Sequence, residues 1–338
     1  MTRGGDPHAG DGLSRRSVVG VLGMAGAAWP LVLRAQQRSM PVIGFLNGAA
    51  YALSANLVSA FHKGLGETGF VEGRNVAFEY RSAEGRYDTL PTLAADLVRR
   101  RVDVIAATGT PTGLPAKAAT STIPIVFVTG SDPIEQGLVT SLSRPEGNLT
   151  GATTLAVEMG PKRFELLHEV VPRAELFGAL VNPTGPNLRS VMRDIEIVAR
   201  SLPVPIRVLH ASIVADFERI FAALAELRAG GLVVGVDTFF NSQSTRLGGL
   251  TLRNKMPAIY QYREFAAAGG LMSYGGSITD AYRVAGTYVG RILKGEKPSA
   301  LPVQQSTKAE LFVNLKSAAT LGLRVPESLL ARAEEIIE

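Results

Sequence analysis

The stretch IPIVFVTGSDPIEQGLVTSLSRPEGNLTG, residues 123–151, decides how the rest of the chain is read. Pro124 to Val128 is a short apolar run of the kind that forms a strand buried on both faces. It stops at Thr129-Gly130-Ser131-Asp132-Pro133, a cluster of turn formers, and Gln136 to Leu142 then reads as a helix. Arg144 to Asn148 closes the unit with another turn. A buried strand that ends in a polar loop and feeds a helix is the local signature of an open α/β sheet. Ligands of such sheets bind beyond the carboxyl ends of the strands, so the 129–133 loop is expected to form one wall of a binding site.

The same pattern repeats on both sides. Upstream, strands are expected at Pro41–Leu46, Asn75–Tyr80 and Asp103–Ala107, with helices at Leu53–Thr68, Tyr87–Arg101 and Pro115–Thr120. Downstream, Lys162–Val170, Leu188–Ser201, Ile213–Arg228 and Ser242–Lys255 read as helices. Leu176–Val181, Ile206–Leu209, Gly231–Val236, Pro257–Tyr260 and Gly270–Ser273 read as strands. Two successive βα halves predict an α/β protein of two Rossmann-like lobes with parallel sheets joined by a hinge. The expected boundaries are 36–153 plus 275–300 for the first lobe and 154–274 for the second. The long helix Ile278–Leu293 returns the chain to the first lobe, and 301–338, with a helix expected over Glu327–Ile337, stays unassigned.

Bulk composition narrows the function classes. The 338 residues are 46% hydrophobic and 19% charged, an ordinary globular balance. The net charge of +5 is dispersed without a Lys/Arg block, which argues against a nucleic-acid partner. There is no cysteine, so disulfides, thiolate metal sites and a cysteine nucleophile are excluded together. Ser14-Arg15-Arg16-Ser17 precedes an apolar run from Val18 to Leu33, and Leu33-Arg34-Ala35 offers a cleavage site before Gln36. Residues 1–35 thus read as an export signal, of twin-arginine type by the paired arginines, although Val18 stands where that motif usually has Phe. The run is short for a bilayer span and is broken by glycines and Pro30, which favours cleavage over a retained anchor. The mature protein is expected in the periplasm, not inserted in the membrane.

Catalytic signals are missing. Gly64-Leu-Gly66-Glu-Thr-Gly69 matches the dinucleotide fingerprint literally but follows a helix rather than a strand, so it reads as a glycine-rich helix end. His8, His62, His168 and His210 show no ligand or triad spacing. Neither an enzyme activity nor a metal or cofactor is expected.

Binding signals are better. Asp132 and Asp237 each sit just past a predicted strand, where a carboxylate can hold a ligand ammonium or cap a helix. For Asp132 both readings stand equally; for Asp237 the neighbouring Phe239 and Phe240 favour an apolar-walled site. Thr108-Gly109-Thr110 offers donors for a ligand carboxylate or a plain strand–helix turn. Tyr51 and Tyr274, beside glycine-rich loops, read as ligand clamps or as tyrosines on the hinge rim.

Several segments together carry a family likeness. They are the leader ending Arg34-Ala-Gln-Gln37, Met40-Pro-Val-Ile-Gly-Phe-Leu46, Gly69-Phe-Val-Glu-Gly-Arg-Asn75, Leu93-Ala-Ala-Asp-Leu97, residues 123–151, and Leu321-Gly-Leu-Arg-Val-Pro-Glu-Ser-Leu-Leu330. Over essentially the whole mature chain, the sequence resembles the ABC-transporter substrate-binding proteins of the TrpX-like family, of the type I periplasmic-binding fold. The resemblance implies two lobes joined by three crossings that close on a small ligand, in a family whose characterised members bind aromatic amino acids. It also implies delivery to an ABC permease in the inner membrane by a monomeric binding protein. By position, the implied cleft is lined by Asn47, Tyr51, Thr108, Gly109, Thr110, Thr129, Gly130 and Asp132 from one lobe. Asn182, Asn187, Asp237 and Phe239 line it from the other, with Tyr274 at a crossing. A ligand-sensing module that docks on a membrane receptor is the alternative expectation.

Overall fold

The computed structural model describes Met1 and Met40–Glu338, Thr307 excepted. Apart from Met1, the expected leader over residues 1–35, His8 included, lies outside the described residues.

The chain builds β1 (Val42–Asn47), α1 (Ala55–Glu67), β2 (Ala77–Ser82), α2 (Leu90–Arg99), β3 (Val104–Thr108), α3 (Gly113–Ala119), β4 (Ile125–Thr129) and β5 (Leu149–Thr153). It continues with α4 (Gly160–Val170), β6 (Phe177–Val181), α5 (Leu188–Ser201), β7 (Ile206–His210), α6 (Asp216–Glu226) and β8 (Gly231–Val234). After them come α7 (Thr238–Ser242), α8 (Ser244–Arg253), β9 (Ala258–Tyr260), α9 (Arg263–Ala267) and β10 (Met272–Gly275). The last elements are α10 (Ile278–Leu293), β11 (Gln304–Gln305), β12 (Glu310–Asn314), α11 (Leu315–Leu321), α12 (Glu327–Leu330) and β13 (Glu335–Ile337).

Two sheets result. The first has six strands in the order β11-β5-β4-β3-β1-β2 and is parallel throughout. The second has seven strands in the order β13-β12-β10-β9-β8-β6-β7 and is parallel except where β12 runs against β10. The α/β class with two Rossmann-like lobes, expected from the repeated βα pattern, is the observed architecture. The chain passes between the sheets after β5, after β10 and after β11. Strand β11 therefore joins the first sheet, whereas β12 and β13 extend the second.

Burial explains the strand patterning. Strands β3, β4, β5, β6 and β8 are buried along their whole length, because helices cover both faces of each sheet. Helix α10 starts at Ser277, whose Oγ accepts from the Asp280 amide at 3.1 Å. It then packs on α1 so closely that a Cβ built on Gly64 would stand 1.8 Å from the Arg283 carbonyl oxygen. The glycine-rich run at 64–69 is thus a helix-packing feature, in keeping with its context in the sequence.

Three local expectations are overturned. Gln136–Leu142 is not a helix: Asp132 Oδ1 caps a single turn, and Gly137, at φ 71°, ends it in the left-handed region. The tail expected as one helix over Glu327–Ile337 is helical only to Leu330, and Glu335–Ile337 pairs in parallel with β12. The second strand begins at Ala77 rather than Asn75, because Asn75 is spent on a turn, its Oδ1 accepting from the Val71 amide at 2.7 Å.

Candidate functional site

In each sheet the strand order reverses direction at one point, between β1 and β3 in the first and between β6 and β8 in the second. At such a switch point the connections leave to opposite faces and open a crevice beyond the carboxyl ends of the strands. Asn47 and Thr108 are register partners at the end of the first crevice. Asn182 and Asp237 follow β6 and β8 at the end of the second. The two crevices face each other, and in this structure they are shut.

Direct bonds between the lobes hold the closure. Tyr87 Oη, from the turn before α2, donates to Asp237 Oδ1 at 2.9 Å and accepts from the Phe239 amide at 2.9 Å. Ser131 Oγ donates to Asn187 Oδ1 at 2.6 Å. At the rim, the Arg193 guanidinium grips both oxygens of Glu135 within 3.1 Å, which holds the Glu135 carboxyl below its ordinary range. Gly109, at φ 89°, lets the lobes meet: a Cβ there would stand 2.9 Å from Thr238 Oγ1.

The hinge carries an unusual cation. Arg163 of α4 is 2% exposed and donates to the carbonyls of Ala156, at 2.8 Å, on the crossing after β5, and of Tyr274, at 3.1 Å, near the end of β10 where the next crossing begins. Burial pushes its guanidinium down to about 10.

Between the shut lobes lies a cavity of about 60 Å³. Asn47, Ala49, Leu53, Ser54, Asn56, Leu57, Gly109, Ile278 and Tyr282 line it from the first lobe and α10. Thr238, Asn241, Ser242, Ser244, Tyr262, Glu264 and Phe265 line it from the second. That is room for a few waters, so a ligand of amino-acid size enters only when the lobes separate.

The residues singled out in the sequence fall in several places. Asn47 and Gly109 line the cavity. Asn182, Asn187 and Asp237 do not line it; they line a separate, smaller void of about 10 Å³ within the second lobe. Asp237 is 3% exposed, and its Oδ1 accepts from Tyr87, Asn182 and the Phe239 amide while Oδ2 is unpartnered. Burial raises its carboxyl above the ordinary value. Phe239 packs on Phe217 with ring centroids 5.6 Å apart. Asp132 Oδ1 accepts from the Ile134 amide at 2.7 Å as a cap.

The threonine loops are stitched to themselves. Thr108 Oγ1 donates to the Leu46 carbonyl at 3.2 Å, and the Gly130 amide donates to Thr110 Oγ1 at 3.1 Å. Thr129 Oγ1 bonds Gln136 Oε1 at 3.0 Å. Tyr51 stands edge-on to Tyr80 at 4.7 Å and is 36% exposed, while Tyr274 offers its carbonyl to Arg163.

The sequence reading did not single out Asn241, Ser242, Tyr262, Glu264 or Tyr282. Tyr262 and Glu264 follow β9, so the rule that pointed to Asp237 after β8 also applies to them. Among the described residues no group of three or more His, Cys, Asp or Glu side chains is placed to hold a metal ion, and no helix is long and apolar enough to cross a membrane.

Comparison with known proteins places this geometry. A family model described as ABC transporter substrate binding protein matches residues 40–337. A curated tyrosine-binding protein of Clostridioides difficile (strain R20291) is 24% identical over 265 residues, covering 78% of this chain and 76% of that one. A crystal structure of a conserved domain protein from Vibrio cholerae superposes with a TM-score of 0.78 at 26% identity, over 88% of this chain and 99% of that chain. A Streptococcus pneumonia ABC domain in complex with L-Trp superposes with a TM-score of 0.76 at 22% identity, over 87% of this chain and 100% of that chain.

Proposed function

Because the chain belongs to the ABC transporter substrate-binding protein family, we propose that it captures an amino acid, aromatic or branched, between its lobes and delivers it to an ABC permease. The observation that carries this reading is the cavity at the facing switch points, lined from both lobes. Its wall is apolar at Leu53, Leu57, Phe265 and Ile278 and polar at Asn47, Asn241 and Glu264, which suits a ligand with one greasy and one polar end. The ligand contacts both lobes, so it stabilises closure by its differential affinity for the closed state. The likeness to a tyrosine-binding protein and to a structure holding L-Trp supports the aromatic choice. On this reading the protein is exported to the periplasm as a monomer after removal of residues 1–35, and carries out no chemistry itself.

The test is a thermal-shift screen on protein unfolded and refolded to strip bound ligand, against the twenty amino acids, small carboxylates, purines and sugars. An upward shift with an aromatic or branched amino acid supports the reading by linkage. A shift confined to purines or sugars overturns the ligand assignment.

A further inference from the structure

Among the residues lining the cavity, Glu264 alone bears a charge, and no Lys, Arg or His joins it. Glu264 sits in the first turn of α9, on the second lobe, and is half-buried. Its Oε1 accepts from Thr279 Oγ1 at 2.9 Å. The adjacent cation, Arg263, is taken by Glu335 in a two-pronged pair within 2.7 Å. The carboxylate of Glu264 therefore meets the cavity without a cationic partner among the described residues. Across the cavity, on the first lobe, Asn47 is 1% exposed. Its Oδ1 accepts from the Ala49 amide at 3.1 Å, but its Nδ2, a buried donor, has no partner. An amide donor left unsatisfied in a buried position is costly unless a ligand supplies the acceptor.

Resting on the amino-acid reading above, we propose that these two side chains read the two ends of the ligand backbone. Glu264 takes the ammonium and Asn47 Nδ2 takes the carboxylate, so that one zwitterion ties the second lobe to the first. The assignment passes over Asp132 and Asp237, whose Oδ1 atoms cap a turn and serve the lobe closure. It also leaves the side chain of the ligand toward Leu53, Leu57 and Phe265.

Calorimetric titrations of the full chain with L-tyrosine, L-tryptophan, L-phenylalanine and L-leucine, and with 3-phenylpropionate and tyramine, separate the two ends. Glu264→Gln keeps an acceptor for Thr279 and removes only the charge. It should weaken the amino acid bound by wild type by about tenfold or more, and leave 3-phenylpropionate, which has no amine, within about twofold. Asn47→Asp keeps the acceptor for Ala49 and replaces the donor. It should weaken the amino acid and 3-phenylpropionate by about tenfold or more, and not weaken tyramine, which has no carboxylate. Amino-acid affinity within about twofold of wild type in Glu264→Gln overturns the pair while leaving the proposed function standing. A wild-type protein that binds no aromatic or branched amino acid, L-valine and L-isoleucine included, overturns the proposed function, and the pair with it.

Discussion

The Tyr87 hydroxyl of the first lobe donates to Asp237 Oδ1 of the second at 2.9 Å, and the same Oδ1 caps α7 by accepting from the Phe239 amide. One carboxylate oxygen is thus shared between a local helix start and the closure of the whole molecule. A position that reads in the sequence as either cap or binding group is seen to cap through Oδ1 and to bond the opposite lobe through the same atom, while its Oδ2 has no partner.

Tyr87→Phe should shift the unliganded protein toward the open state. The substitution removes both inter-lobe contacts of the hydroxyl, the donation to Asp237 and the acceptance from the Phe239 amide, and a loss of about 1–2 kcal/mol moves the lobe equilibrium about five- to thirtyfold. The chain has no cysteine, so spin labels on Thr92→Cys and Arg200→Cys report the inter-lobe distance without background. An unaltered distance distribution in the Tyr87→Phe protein counts against the latch.

Glu135→Gln tests the rim pair on the same labels. Both side chains are exposed, Arg193 by 50% and Glu135 by 41%, so solvent and salt screen their attraction. The shift toward opening should be smaller than for Tyr87→Phe and should vanish as salt is raised to about 1 M. A larger, salt-independent effect would make the rim the principal latch.

Asp237 should give stability a pH dependence of definite sign. Burial raises its carboxyl in the folded protein, so the native state holds this proton more tightly than the unfolded chain. The stability it contributes is full below the ordinary carboxylate value of 3.8 and is lost as pH rises through the raised one. Asp237→Asn keeps an acceptor at Oδ1 and does not titrate. The Tm of wild type minus that of Asp237→Asn should therefore fall as pH rises above about 4. A constant difference would show that the group ionises in the fold as freely as in the unfolded chain.

Gly64→Ala should destabilise the first lobe. Its Cβ would meet a backbone oxygen of α10, Arg283 O, which cannot rotate away, so α1 and α10 must move apart. Overpacking of this kind costs about 1–3 kcal/mol and lowers Tm by about 2–10 °C, read by calorimetry. An unchanged Tm would mean that the helix pair has slack the structure does not show.

Much of this molecule is legible in its amino-acid order. The buried runs at 104–108, 125–129 and 231–234 name their own strands, and their alternation with helices names the class, because hydrophobic periodicity is local. A cavity lies beyond the strand ends, lined by Gly109, which the strand-end rule names, and by Asn47, which the family resemblance names. The strand-end rule reaches Glu264 after β9 as well, but in the sequence a carboxylate beside Arg263 reads as one half of a local ion pair. Its standing comes from Arg263 being paired with Glu335, some seventy residues away in the chain. The 136–142 segment has helical spacing, yet Gly137 and the cap of Asp132 end it after one turn.

Sequence alone determined the two-lobe α/β class, the family likeness and the strand ends at which the lobes face each other. Each of these rests on patterns within a few residues or on motifs carried whole. Only the tertiary structure decided that Asp237 serves Tyr87, that Arg163 ties the crossing after β5 to the end of β10, and that Glu264 and Asn47 flank one cavity. Those relationships join residues far apart in the chain, and they exist only once two sheets, separately built, have been brought face to face.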